Sequence, residues 1–144
     1  MTRNDLLTPG HTLPCVSVSS TSLPIFIVEK NPGIAQMITW ALALAGYCPT
    51  RSAGELSTLF QNFPEDLPVL ILLDVSLVRE SGSKVLLDIQ AQCSSLGITP
   101  PIIVLTTNPV IQKEVETVGY RAILKPFHVQ HLMQAVSEAL SPFL

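Results

Sequence analysis

Val69–Leu73 reads VLILL, five apolar residues in a row, and Asp74 follows at once. A strand with one wet face alternates apolar and polar residues. An unbroken apolar run of strand length must be covered on both faces, as in a parallel sheet. Pro24–Val28 (PIFIV) and Pro101–Leu105 (PIIVL) have the same character, and Tyr47–Arg51 and Ala122–Leu124 are shorter strand segments. Helical patterns separate them. Asn31-Pro32 sets a capping side chain before a proline at the first helical position. Ile34, Met37, Ile38, Ala41, Leu42 and Ala45 follow at helical steps, and Gly46 ends them. Ser52 with Glu55 forms a capping box for a second helix bearing Leu56, Leu59 and Phe60. A Ser81-Gly82-Ser83 loop leads to a third, with Val85, Leu86 and Ile89. Asn108-Pro109 repeats the first cap ahead of Val110, Val115, Val118 and Gly119, and the last helix carries Val129, Leu132, Met133, Val136 and Leu140. Five strand–helix units predict an α/β fold around a parallel sheet.

At 144 residues the chain holds one domain. Residues 1–22 are rich in Ser, Thr and Pro and show no period, so they are expected to form a loose tail, dispensable for folding, ahead of a domain over 23–144. Eight basic against eleven acidic residues give a net charge of −3, and no basic excess points to direct nucleic-acid binding. Apolar residues make up 47% and charged residues 13%, against roughly 25% in typical soluble domains. Such a charge-poor surface predicts a protein interface. Cys15, Cys48 and Cys93 are widely spaced and form no disulfide framework or zinc motif. No stretch approaches the ~20 apolar residues of a spanning helix, and no export signal opens the chain. The expected setting is the reducing cytoplasm, with no membrane contact.

In a doubly wound sheet, chemistry gathers beyond the carboxyl ends of the strands. Those positions hold Glu29 and Lys30, Asp74, Thr106 and Thr107, and Lys125. Carboxylates, a hydroxyl and ammoniums on one rim can hold a phosphoryl group, with a carboxylate as nucleophile and cations for the oxygens. Singly, each residue has a bland reading as a turn, cap or solvated loop residue. His128 and His131 read as surface residues.

Three motifs carry a resemblance to the receiver domain of bacterial response regulators, from about Leu23 to Leu140. LILLDVSL resembles the segment around the phospho-accepting aspartate and assigns that role to Asp74, with Gly82 at a glycine usual in the following loop. VLTT places the family's hydroxyl on Thr106, and LKPF its phosphoryl-contacting lysine on Lys125. The resemblance implies a doubly wound five-stranded parallel sheet, order 2-1-3-4-5, flanked by five helices, and a cis Lys125-Pro126 bond. It also implies a two-component signalling role without enzymatic activity of its own. The implied partners are a histidine kinase or phosphotransfer protein and a downstream protein. Mg²⁺ would be held by Glu29, Asp74 and the carbonyl of Ser76.

The sequence departs from this family in places that matter. Lys30 stands where the family usually supplies a second acid. An ammonium cannot ligate Mg²⁺, so weak Mg²⁺ affinity is expected, with Lys30 beside Asp74 as a counter-ion. The family's switch aromatic falls at Ala122, and Tyr120 is offset by two. Thr107 is larger than the residue usual beside the acceptor and narrows access to it. Two readings follow: a phospho-accepting receiver of atypical chemistry, and a phosphorylation-independent interaction module. A flavin-binding, flavodoxin-like domain is the third, disfavoured because no Ser/Thr-rich phosphate loop follows the first strand. No output domain follows Leu144, so the signal is expected to pass by contact. A homodimer through helix four, strand five and helix five is one such contact.

Overall fold

The apolar runs pair into one sheet. In the computed structural model, which describes residues 24–47, 50–55, 57–58, 61, 67–75 and 82–141, the strands are β1 (Ile25–Val28), β2 (Thr50–Ala53), β3 (Leu70–Asp74), β4 (Ile102–Thr106) and β5 (Arg121–Leu124). All are parallel, in the order β2-β1-β3-β4-β5. The helices are α1 (Pro32–Leu44), α2 (Gly82–Ser94), α3 (Pro109–Thr117) and α4 (Val129–Leu140). The expected 1–22 tail lies outside the described residues.

The central strands are buried on both faces, and their alternation divides the core in two. Phe26, Val28, Ile71, Leu73 and Val104 face the side covered by α2 and α3, with Leu86, Ile89, Ile111 and Val115. Ile25, Ile27, Leu70, Leu72, Ile103 and Leu105 face α1 and α4, with Ile38, Leu42, Leu132 and Val136. This parity also sorts the rim. Glu29, Asp74 and Lys125 continue the α1/α4 face, whereas Thr106 continues the other.

Four helices are described from end to end, and where the second of the five expected helices falls, Ser57 and Thr58 are helical, with Gln61 N donating to Ser57 O. Ser52 does not cap a second helix. It lies inside β2, opposite Ile27 in the register with β1. Leu56, Leu59 and Phe60 lie outside the described residues. β2 also starts later than Tyr47–Arg51, because Tyr47 is used to terminate α1. Gly46 turns with φ of +91°, a region glycine enters without steric cost. Gly46 N then donates to Ala43 O and Tyr47 N to Leu42 O, closing a Schellman motif. The same device ends α3, where Gly119 has φ +97° and Tyr120 N donates to Val115 O. The Tyr120 ring packs against the α2/α3 core, but its buried hydroxyl has no hydrogen-bond partner. Tyr120 is therefore a helix-terminating residue, and the switch position is the buried Ala122.

Asp74 and Thr106 are the last residues of their strands, one step earlier than the sequence pattern places them. Gly82 begins α2 directly. No helix among the described residues is long and apolar enough to cross a membrane. On the surface, α1 carries no charged residue and exposes Trp40 and Leu44 beside Val129 of α4. These residues line an open groove of about 650 Å³.

Candidate functional site

The register of the sheet brings the strand ends together. Val28 pairs with Leu73 and Asp74 with Leu105, so Glu29 and Asp74 emerge side by side. Lys125 N donates to Thr106 O at 2.7 Å, which carries β5 one step past its last strand residue and aims Lys125 back at the rim. The Lys125-Pro126 bond is cis, as the resemblance implies. The Lys125 ammonium then reaches both carboxylates, 2.8 Å from Glu29 Oε1 and 3.0 Å from Asp74 Oδ1. The three side chains are only 10%, 2% and 6% exposed for Lys125, Glu29 and Asp74. Burial works to lower the Lys125 pKa. Hydrogen bonds to Glu29 and then Asp74, with their negative charges, outweigh it and hold the ammonium above its ordinary value.

Both oxygens of Glu29 are committed. Oε1 accepts from Lys125, and Oε2 accepts from the backbone N of Asn31 at 3.1 Å. Asn31 in turn caps α1, its Oδ1 accepting from Gly33 N and Ile34 N at 2.9 and 3.1 Å. A matching arrangement closes β4. Thr106 Oγ1 accepts from Asn108 N at 3.1 Å, and Asn108 Oδ1 accepts from Val110 N at 2.8 Å.

Asp74 and Lys125 open onto a cavity of about 540 Å³, lined also by Glu29, Lys30, Thr107 and Phe127. Thr106 is fully buried, on the α2/α3 side of the sheet, and it is Thr107 that forms the cavity wall. The cation that ties Glu29 to Asp74 is Lys125. Lys30 is exposed and lines the same cavity. Ser76 lies outside the described residues. The cavity-lining role of Asn31 has no signature in the sequence beyond its cap pattern, because its contact with Glu29 is made by backbone.

Receiver domains commonly bind Mg²⁺ at this place. The groups found here do not fit such a site. Among the described residues of the cavity two carboxylates face two ammoniums, which leaves no net negative charge to draw a dication. Neither oxygen of Glu29 is free of a hydrogen bond, and Lys125 already neutralises Asp74. Mg²⁺ needs near-octahedral oxygen ligands. No group of three or more His, Cys, Asp or Glu side chains placed to hold a metal ion occurs among the described residues.

Comparison with known proteins agrees with the fold. The family model described as response regulator receiver domain matches residues 25–137. The chemotaxis protein CheY4 of Vibrio cholerae is 25% identical, with a TM-score of 0.66 over 82% of this chain and 98% of that one. The receiver domain of a LuxO repressor protein from Vibrio parahaemolyticus is 20% identical, with a TM-score of 0.65 over 83% and 91%. Full-length FixJ from B. japonicum is 18% identical, with a TM-score of 0.68 over 85% of this chain and 59% of that one. No curated protein matches the chain. Receiver domains interact with kinases or phosphotransfer proteins and with downstream effectors. With the family's sheet order, a carboxylate at the end of β3 and a lysine returning to it from β5, this chain belongs to the response regulator receiver domains of two-component signal transduction.

Proposed function

We propose that Asp74 accepts a phosphoryl group from a phosphohistidine of a kinase or phosphotransfer protein. The observation that carries this reading is the Lys125 ammonium held 3.0 Å from Asp74 Oδ1 at the edge of an open cavity. A carboxylate oxygen attacks phosphorus, the P–N bond breaks, and the donor ring, already protonated on its other nitrogen, leaves as neutral imidazole as the acyl phosphate forms. Lys125 stabilises the phosphoryl oxygens, while Thr106, on the other face of the sheet, stays bonded to Asn108. The domain is not itself an enzyme in this reading. It works in the cytoplasm and passes its state to a protein partner, another copy of the chain included, rather than to nucleic acid.

A second reading has its own support. Ala122 offers no aromatic ring at the position that would follow a change at Thr106. A domain that lacks that relay can serve as a phosphorylation-independent interaction module. Intact-mass spectrometry after incubation with a phosphorylated phosphotransfer domain separates the two. Gain of one phosphoryl group, lost in Asp74→Asn, supports the first reading; an unchanged mass under all conditions supports the second.

A further inference from the structure

We infer that this receiver takes up its phosphoryl group without a divalent cation, the ammonium of Lys30 supplying the second positive charge. The inference rests on reading Asp74 as the acceptor, and goes beyond it in replacing the metal with a residue of the chain. The geometry gives four reasons. Both oxygens of Glu29 are occupied, one by Lys125 and the other by the backbone of Asn31. Freeing either would unpair a buried ammonium or loosen the turn that starts α1. Lys125 spans the two carboxylates that a metal would have to bridge. Lys30 is exposed and lines the same cavity as Asp74 and Lys125, so a phosphate that enters the cavity meets it. Finally, the described residues that line the cavity balance in charge, with two carboxylates against two ammoniums. An attached phosphoryl dianion exchanges the carboxylate's single charge for two, and among the described lining residues Lys30 is the cation, besides Lys125, that faces it.

A small phosphodonor such as acetyl phosphate isolates this step. Asp74 attacks phosphorus, the bond between phosphorus and the bridging acetyl oxygen breaks, and acetate leaves as its anion with no proton required. The rate of mass gain is measured on the full chain with Mg²⁺ and, separately, with EDTA. The expected result is equal modification in both. Lys30→Met should slow it about tenfold or more in both conditions, and Lys30→Asp should make it depend on Mg²⁺. Lys30 is exposed, so neither variant disturbs the core. Modification of the parent protein only with Mg²⁺ overturns this inference and leaves Asp74 as the acceptor. An unchanged rate in Lys30→Met overturns the role of Lys30. No modification in either condition overturns the inference, and the reading beneath it then stands or falls on the phosphotransfer-domain experiment.

Discussion

The turn from β1 to α1, Glu29-Lys30-Asn31-Pro32, and the turn from β4 to α3, Thr106-Thr107-Asn108-Pro109, share one construction. In each, the residue at the strand end accepts from the backbone N of an asparagine two positions on, and that asparagine caps a helix opening on proline. In each, the residue between them is exposed and lines the same cavity. The charges differ. The first turn begins at a carboxylate joined to Lys125 and carries an exposed cation at its middle. The second begins at a hydroxyl and carries a second hydroxyl. The same backbone device thus presents a charged lip and a neutral lip to one cavity, and the charged lip has its strand-end side chain held by the side chain of a distant residue.

That tie gives the largest predicted effect. Lys125→Met leaves Glu29 and Asp74 buried without their cation, and breaking such a pair costs about 3 kcal/mol or more. Urea unfolding should show it as a lowered midpoint, and Glu29→Gln in the same chain should recover part of the loss. A change near zero would mean that the charged lip stands without β5.

Raising the pH attacks the same tie more gently. The pKa values of Cys93 and Tyr120 are raised by burial, and that of Lys125 by Glu29 and Asp74 against the pull of burial. In each case the native state holds the proton more tightly than the unfolded chain. The stability gained is complete below the unfolded value and is lost as pH rises through the native one. From ordinary values of 9.0, 10.0 and 10.5, unfolding free energy should fall above pH 9.0, with Lys125 contributing last. A stability rising through that range would contradict all three assignments.

The caps test whether the two turns are equivalent. Asn31→Ala and Asn108→Ala should each destabilise by about 1 kcal/mol. Asn31 should matter more, because its side chain accepts two backbone N–H groups where that of Asn108 accepts one. Equal losses would show that the added bond contributes nothing.

Lys30→Asp should change stability least, within about 0.5 kcal/mol, because the side chain is exposed. Its effect belongs in titration calorimetry, where Mg²⁺ affinity should rise from a weak baseline. Tight binding by the parent, unchanged in the variant, would return Lys30 to an ordinary solvated residue.

Much of this was legible in the chain. Unbroken apolar runs fix β1, β3 and β4 because burial on both faces removes every polar position from them. The two Asn-Pro caps are equally plain, since proline at the first turn leaves few alternatives. β2 was harder to locate, because its sequence TRSA is an edge strand with little apolar content and Tyr47 imitates a strand start while ending α1. At the site, proximity of Asp74 to Lys125 followed from the family motifs. The partner of Glu29 did not, for two reasons. Lys30 is its neighbour in sequence, but Lys125, 96 positions away, is the residue that the sheet register delivers. The division of the rim by strand parity, which turns Thr106 away from the ion cluster, needs the observed strand ends, and those lie one residue from the pattern.

Trp40 is the only tryptophan in the chain, and it sits 42% exposed on a helix without charges. Its fluorescence is therefore already partly that of an indole in water. Unfolding the core will shift its emission modestly, and a melting curve followed at that wavelength will understate the transition that circular dichroism records. A larger blue shift, at constant helical content, has a different meaning. It reports a surface laid over α1, and makes any molecule that binds there visible without a label.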